Sequence, residues 1–176
     1  PPNGLTATPV NASRVNLSWN AVSGAASYTL KRSTSPGGPY ATVSSGLTST
    51  SSSDTSVSSG VRYYYVVSAV NGGGASGNSA EADALTHPAR PTGLAATTAD
   101  DSRVDLSWSA VAGAASYTLK RSASPGGPYA IVSSELIATS ASDTGLSAGT
   151  RYFYVLSAVN SGGESLDSPE VVALTR

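Results

Sequence analysis

The side chains that could catalyse a reaction or bind a metal are few and widely separated in the sequence. His87 is the only histidine and the chain has no cysteine, so this imidazole has no second imidazole or thiol to act with. Asp100 and Asp101 are adjacent carboxylates, but Ca²⁺ takes about six to eight oxygen ligands, and isolated turn carboxylates usually shape the turn itself. We therefore predict no catalytic, metal-binding or cofactor-binding residue and no enzyme activity.

Two recurring carboxylates and a recurring loop also favour structural roles. Asp54 and Asp143 are each followed by threonine, and we expect them to end a strand by accepting hydrogen bonds from nearby backbone. The many serines have no base that could activate a hydroxyl group. The sequence SPGGPY, at residues 35–40 and 124–129, lacks the lysine and the following helix of a phosphate-binding loop. Its prolines fix φ and its glycines permit reversal, which predicts a rigid connection between two strands.

Outward-facing aromatic residues are the remaining candidates for a binding surface. Tyr64 and Phe153 occupy the outward face of a long predicted strand, and Lys31 and Lys120 are expected on the same face. One interpretation is a surface that stacks on sugars or docks a protein. The other is cross-strand cover, in which the lysine stem packs on the ring. We favour cross-strand cover, because one aromatic residue per domain makes a poor platform for a polysaccharide.

The elements that position these residues occur twice. A spacing of 89 positions separates matching residues throughout, for example Trp19 from Trp108, Tyr28 from Tyr117 and Asn71 from Asn160. This repeat exceeds the ~20–50 residues of a solenoid unit and is long enough for each copy to bury its own core. We predict two copies of one domain, at residues 1–86 and 91–176. A short linker at residues 87–90, with a solvated His87, joins them.

Within each copy the apolar residues alternate with polar ones, which is typical of half-buried strands. Turn signals separate these runs, and no segment has the period of a helix. About seven short strands per copy predict an all-β fold of two tandem seven-stranded antiparallel sandwiches. The predicted core residues of the two copies are Val15, Leu17, Trp19, Tyr28, Leu30, Val43, Tyr63, Tyr65 and Val67, and Val104, Leu106, Trp108, Tyr117, Leu119, Val132, Tyr152, Tyr154 and Leu156.

Composition excludes several classes of partner. The formal net charge is −1 and only 12% of residues are charged, so the chain lacks the basic surface of a nucleic-acid-binding protein. No run approaches the ~20 apolar residues of a membrane-spanning helix, so we expect no membrane insertion. With no cysteine, the chain has neither disulfides nor thiol chemistry.

The motifs resemble those of the fibronectin type III domain. Each copy opens on Pro-x-Gly-Leu, continues with Val-x-Leu-x-Trp and Ala-x-x-Tyr-x-Leu, and ends with an apolar-x-x-Gly-x-x-Tyr stretch before a long strand. The resemblance implies an immunoglobulin-like sandwich in which Tyr63 and Tyr152 form the tyrosine corner, with each hydroxyl hydrogen-bonded to nearby backbone. The SPGGPY loop and the YYYVVSAVN run are similar to type III modules of secreted bacterial polysaccharide-degrading enzymes.

That resemblance implies a non-catalytic spacer within a larger secreted, carbohydrate-active bacterial enzyme, with neighbouring domains of the same polypeptide as its partners. Pro88 and Pro91 favour an extended linker, so we expect a monomer whose domains are arranged end to end. The alternative is a module that binds polysaccharide or a cell surface through its outward sheet faces.

Overall fold

The computed structural model describes residues 1–176 and consists of strands and connecting turns, without a helix. The chain therefore has no helix that is long and apolar enough to cross a membrane. It divides into two compact units, Pro1–His87 and Pro88–Arg176, here called domain 1 and domain 2.

Each domain contains eight strands. Those of domain 1 are β1 (Thr6–Asn11), β2 (Arg14–Ser18), β3 (Ser27–Ser33), β4 (Ala41–Leu47), β5 (Ser51–Asp54), β6 (Arg62–Asn71), β7 (Gly74–Ala75) and β8 (Ala82–Leu85). Those of domain 2 are β9 (Ala95–Thr98), β10 (Arg103–Ser107), β11 (Ser116–Ser122), β12 (Ala130–Leu136), β13 (Ser140–Thr144), β14 (Arg151–Asn160), β15 (Gly163–Glu164) and β16 (Val171–Leu174).

The strands of each domain form two antiparallel sheets. In domain 1 the small sheet has the order β1-β2-β5, and the large sheet has the order β4-β3-β6-β7, with β8 also paired to β6. Domain 2 repeats this topology with β9-β10-β13 and with β12-β11-β14-β15 plus β16. The predicted all-β fold of two sandwiches is thus confirmed.

The structure differs from the sequence-based prediction in the number of strands. Seven strands per domain were expected; the last of them, at about residues 80–86, is β8, and the two-residue β7 is an additional strand next to the predicted glycine-rich turn. Between these two strands, the hydroxyl oxygens of Ser76 and Ser79 accept hydrogen bonds from the backbone N–H groups of Ala69 and Val67, at 3.0 and 3.1 Å. Because side-chain oxygens bind these β6 donors, the segment does not form a regular strand.

The core of each domain lies between its two sheets. Trp19 is 5% exposed and packs edge-to-face on Tyr28, with ring centroids 5.5 Å apart; Trp108 and Tyr117 repeat this contact. The other buried residues among those singled out from the sequence are Val15, Leu17, Leu30, Tyr63, Tyr65 and Val67, and Val104, Leu106, Leu119, Tyr154 and Leu156. Val43, Val132 and Tyr152 are only partly buried at the edge of the core.

Candidate functional site

The residues considered for catalysis do not meet in one place. The backbone carbonyl of His87 accepts a hydrogen bond from the N–H of Gly60 at 3.0 Å, and the residue is half-buried in domain 1. His87 is thus half-buried, where the sequence analysis expected a solvated residue, and its place in a linker stays a prediction. No group of three histidine, cysteine, aspartate or glutamate side chains is placed to hold a metal ion.

Of the two adjacent carboxylates at the start of domain 2, Asp100 shapes a turn. Asp100 Oδ1 accepts hydrogen bonds from the backbone N–H and the hydroxyl of Ser102, at 2.8 and 3.0 Å. These two hydrogen bonds, of which the one from the backbone N–H has the larger effect, hold the pKa of Asp100 below its usual value. These contacts account for the carboxylate without a ligand.

A buried cluster of arginine, aspartate and tyrosine connects the two sheets of domain 1. Arg32 on β3 donates to Asp54 Oδ2 on β5 at 2.6 Å, and the Tyr65 hydroxyl on β6 donates to the same oxygen at 3.1 Å. The side chain of Asp54 is fully buried, whereas that of Arg32 is 24% exposed. The other carboxylate oxygen accepts from the backbone N–H and the hydroxyl of Ser56, at 2.9 and 2.8 Å. The carboxylate of Asp54 therefore makes the expected contact with nearby backbone, and it also binds two side chains of the other sheet.

The electrostatics of the cluster favour one arrangement of charges. Burial opposes ionisation of Asp54, but the hydrogen bonds from Ser56 and Arg32 outweigh it and keep the pKa of this carboxyl below its usual value. Burial, with the neighbouring Asp54 charge, raises the pKa of the Tyr65 hydroxyl. Tyr65 therefore remains a hydrogen-bond donor, and the cluster acts as a satisfied buried ion pair.

Domain 2 contains the same cluster with a different set of bonds. One guanidinium nitrogen of Arg121 donates to both carboxylate oxygens of Asp143, at 3.0 and 2.8 Å, and Tyr154 donates to Asp143 at 2.9 Å. Sequence reasoning missed both arginines. The available signal was the identical recurrence of YTLKRS in the two copies, in which the arginine follows the lysine that had been considered.

The predicted corner tyrosines have the geometry of a tyrosine corner. The Tyr63 hydroxyl accepts a hydrogen bond from the N–H of Ser58 at 2.9 Å, and the Tyr152 hydroxyl accepts one from Ser147 at 3.1 Å. In domain 1 the Arg32 guanidinium carbon lies 4.8 Å from the centre of the Tyr63 ring. The corner and the buried cluster therefore share an arginine.

The SPGGPY loop is held by a glutamate that the sequence analysis did not identify. Glu81, just before β8, accepts hydrogen bonds from the Gly37 N–H at 2.9 Å and from the Tyr40 hydroxyl. Glu170 makes the same contacts in domain 2 with Gly126 and with Tyr129, and the hydrogen bond to Glu170 raises the pKa of Tyr129 to about 12. The signal was a glutamate at the same distance from the loop in both copies.

The aromatic and lysine residues considered as a binding surface lie on the outward face of the large sheet. In the register of β3 and β6, Tyr64 is opposite Ser33 and Lys31 is opposite Val66, so Tyr64 and Lys31 are diagonal neighbours. Both are half-buried, and the Lys31 ammonium donates to Asn78 at 3.0 Å. The charged end of this lysine is thus bound to the connection between β7 and β8.

The corresponding surface of domain 2 carries more charge. The Lys120 ammonium donates to Glu164 at 2.8 Å and to Asp167 at 2.7 Å, while Phe153 is half-buried on the neighbouring strand. Burial opposes the charge on Lys120, but hydrogen bonds from it to both carboxylates raise its pKa above the usual value. This face carries a compensated ion cluster and a single ring, so it offers no row of aromatic rings to a sugar chain.

Two antiparallel sheets around a tryptophan and tyrosine core, with a corner tyrosine, define the class of immunoglobulin-like β-sandwiches. The family model for the fibronectin type III domain matches residues 1–84 and 89–173. The chain belongs to the fibronectin type III family and contains two of its domains.

Each curated relative matches about half of this chain, which is the length of one domain. An amylopullulanase of Thermoanaerobacterium saccharolyticum is 38% identical over 94 residues, which cover 52% of this chain and 7% of the relative. A poly(3-hydroxybutyrate) depolymerase of Ralstonia pickettii is 44% identical over 87 residues, which cover 49% of this chain and 16% of the relative. The match therefore spans less than a fifth of either relative. The predicted resemblance to type III modules of bacterial polysaccharide-degrading enzymes is confirmed.

A solved structure shows the same fold over the whole chain. The two-domain fibronectin type III segment of chicken tenascin has a TM-score of 0.56 and 20% identity, and the match covers 99% of each chain. At this identity the likeness establishes the fold alone.

Proposed function

We propose that this chain is a non-catalytic tandem spacer in a larger secreted, carbohydrate-active bacterial enzyme. One observation carries the proposal: the curated relatives are enzymes, and the matched domain makes up only 7% and 16% of their lengths. The polar clusters of both domains support it, because the Arg32–Asp54 and Arg121–Asp143 pairs connect strands of the same sandwich.

A spacer needs domains that fold separately and a connection of limited flexibility. The family model leaves only a few residues between its two matches, and this segment contains Pro88. Proline fixes φ near −65°, which restricts the directions in which such a short connection can bend. We propose domain limits of 1–86 and 91–176 with a linker at 87–90, a monomeric state, and neighbouring domains of the same polypeptide as partners.

The names of the relatives bear on the substrate of the parent enzyme. Three of the curated relatives are named amylopullulanase, which supports a carbohydrate-active parent. Another is named poly(3-hydroxybutyrate) depolymerase. A spacer suits both kinds of enzyme, because it acts on the spacing of domains and not on the chemistry of the polymer.

Small-angle X-ray scattering tests the spacer. Replacing residues 88–91 with glycine and serine should shorten the mean distance between the two domains, because the flexible linker samples bent conformations. The melting of both domains should stay unchanged, since His87, whose carbonyl binds Gly60, is retained. An Arg90→Ser variant, which keeps both prolines, serves as the control and should scatter like the unmodified chain. A compact distance distribution for the unmodified chain would contradict the spacer.

A further inference from the structure

The ion cluster on the outward face of the large sheet in domain 2 includes a buried serine. Glu164 of β15 accepts hydrogen bonds from the Lys120 ammonium at 2.8 Å and from the Ser157 hydroxyl at 2.5 Å. These two hydrogen bonds, of which the one from Lys120 has the larger effect, hold the pKa of Glu164 below its usual value. The side chain of Glu164 is 47% exposed, whereas Ser157 is fully buried. A carboxylate at the surface can therefore reach a hydroxyl group at this depth.

Domain 1 keeps the two donors of this cluster and lacks both of its carboxylates. At the spacing of 89 positions the four members correspond pairwise: Lys31 to Lys120, Ser68 to Ser157, Ala75 to Glu164 and Asn78 to Asp167. The backbone register is the same, because β7 pairs with β6 as β15 pairs with β14. The ammonium group of domain 1 thus lies beside an alanine and an asparagine, where that of domain 2 binds two carboxylates.

The Ser68 hydroxyl is a buried donor without a partner. Ser68 is 1% exposed, and its oxygen makes no hydrogen bond. Buried hydroxyl groups in native proteins are nearly always hydrogen-bonded, because an unpaired one costs free energy. Ala75, at the position from which glutamate completes the cluster of domain 2, is exposed to solvent. An added carboxylate would therefore satisfy a donor that the chain itself leaves unpaired.

The Lys31 ammonium also has unused hydrogen-bonding capacity. An ammonium group has three N–H donors, and Lys31 donates to Asn78 at 3.0 Å. Because Asn78 follows β7, on the far side of β6 from β3, the stem of Lys31 crosses β6 on the outward face. A lysine stem is flexible, so a small shift of it opens the approach to Ser68. A carboxylate can then bind both donors while Lys31 keeps its contact with Asn78.

The depth of Ser68 bears on how the carboxylate is attached to its carrier. The carboxylate of a glutamate extends on a flexible chain of methylene groups, which lets Glu164 reach the buried serine of domain 2. The carboxylate of a uronic acid is bonded directly to the sugar ring, so the ring itself would have to enter the sheet surface. The site therefore favours an acidic side chain of a protein over an acidic polysaccharide.

We propose that Lys31 and Ser68 of domain 1 bind the carboxylate side chain of another protein segment, in the position that Glu164 occupies in domain 2. The ammonium and the hydroxyl group both donate to this carboxylate, and such charge-assisted hydrogen bonds are stronger than neutral ones. Domain 2 supplies its own carboxylates, so the site belongs to domain 1 alone. This function goes beyond the spacer and does not depend on it.

Nuclear magnetic resonance titration of the full chain tests this proposal with small probes at constant ionic strength. The probes are acetate, its uncharged analogue acetamide, the terminally blocked tripeptide Gly-Glu-Gly, and galacturonate. Backbone amide signals around Ser68 and Ala75 should shift with acetate and with the tripeptide, whereas those around Ser157 and Glu164 should not. Absence of these shifts, or an equal response to acetamide, would overturn the proposal. Stronger binding of galacturonate than of the tripeptide would contradict a protein side chain as the ligand.

Exchanging residues between the two domains gives matched variants. A75E/N78D gives domain 1 the carboxylates of domain 2 and should abolish its response to acetate. The reverse variant, E164A/D167N, should create an acetate response in domain 2. The melting temperature of each variant separates loss of binding from loss of fold, and the domain 1 variant decides the question if E164A/D167N does not fold. An acetate response that persists in A75E/N78D would refute the site.

Ser68→Ala separates this site from a non-specific contact with a surface lysine. The variant retains the Lys31 ammonium and loses the buried donor, so its affinity for acetate should fall about tenfold or more. Ser157→Ala in domain 2 is the matched control and should leave the titration of domain 1 unchanged. Unchanged affinity in Ser68→Ala would refute the proposal. The scattering experiment tests the spacer without any ligand, so the two proposals can fail separately.

Discussion

At the scale of single residues, the buried carboxylate of each domain combines two roles. Asp54 ends β5 through its contacts with Ser56, and it binds Arg32 and Tyr65 on two strands of the other sheet. Removing one partner of a buried ion pair leaves the other charge without compensation, which costs more than the pair contributes. Asp54 is therefore the polar residue of domain 1 with the largest expected effect on stability.

We predict that Asp54→Asn lowers the free energy of unfolding of domain 1 by about 3 kcal/mol at neutral pH. The folded pKa of Asp54 lies below the unfolded value of about 3.9. The stabilisation of domain 1 by ionised Asp54 is thus complete above the unfolded pKa and is lost as the pH falls through the folded pKa. The variant should consequently show a weaker loss of stability on acidification.

Urea unfolding at several pH values measures this effect. In a Trp108→Phe background, Trp19 is the only tryptophan, so its fluorescence reports on domain 1. Domain 1 contains only two other acidic residues, Glu81 and Asp83, which keeps the acid dependence simple. If the variant and the parent lost stability in parallel down to pH 3, the assigned role of Asp54 would be wrong.

One residue of domain 2 has an unfavourable backbone conformation. Glu135 has a φ of 57°, whereas its counterpart in domain 1 is Gly46, with a φ of 68°. A residue with a side chain pays about 1–2 kcal/mol to adopt the left-handed conformation. Glycine avoids this strain, but it loses more conformational entropy on folding, so the net gain from the substitution is smaller. Glu135→Gly should therefore stabilise domain 2 by about 0.5–1 kcal/mol.

The paired experiment is Gly46→Glu in domain 1, which should destabilise that domain by a similar amount. Unfolding followed by Trp108 in a Trp19→Phe background measures the first variant, and the opposite background measures the second. A destabilising effect of Glu135→Gly would show that this glutamate makes a contact that outweighs the backbone cost.

At the scale of elements, the tyrosine corner anchors the connection that leads from the small sheet into β6. Tyr63 is 5% exposed and its hydrogen bond with the Ser58 N–H is part-buried, whereas Tyr152 is half-buried and its hydrogen bond with the Ser147 N–H is exposed. Water can replace a lost partner more readily at the exposed site. The two corners are therefore similar in geometry and unequal in energy.

We predict that Tyr63→Phe lowers the stability of domain 1 by about 1–2 kcal/mol, because the Ser58 N–H loses its acceptor. Tyr152→Phe should cost domain 2 less, about 0.5–1 kcal/mol. Urea midpoints of each variant measure both values, and the other domain of the same chain is the control. Equal midpoints for Tyr63→Phe and the parent would exclude the corner as a source of stability.

At the scale of the whole molecule, each domain contains a complete set of sheets and a core of its own. The two core clusters share no residue, and the division at residues 87 and 88 leaves every sheet intact. Small domains with one core usually unfold in a single cooperative transition. The chain should accordingly behave as two independent folding units.

Residues 1–87 and 88–176, produced separately, should each unfold cooperatively. Circular dichroism during heating gives the test, and a shuffled sequence of equal composition gives the unfolded reference. Tryptophan fluorescence should show the same midpoint in each fragment as in the full chain. A fragment with a random-coil spectrum would contradict autonomous folding.

The sequence by itself determined the repeat, the all-β class and most of the residues between the sheets. Alternation in segments such as Val15 to Trp19 is a local property, because neighbouring side chains of a strand point to opposite faces. The short strand β7 and the irregular segment between it and β8 were not predicted. That segment depends on Ser76 and Ser79 reaching donors of β6, and their positions follow from strand pairing rather than from the local pattern.

Only the tertiary structure decided which polar side chains meet. Arg32, Asp54 and Tyr65 come from three strands, and their bond distances depend on how the two sheets face each other. The outward face of the small sheet in domain 1 likewise combines residues of β1, β2 and β5, which are brought together by the register of two pairings. Register and strand order are set by the burial of the whole core, so contacts between distant segments cannot be read from the spacing of residues along one strand.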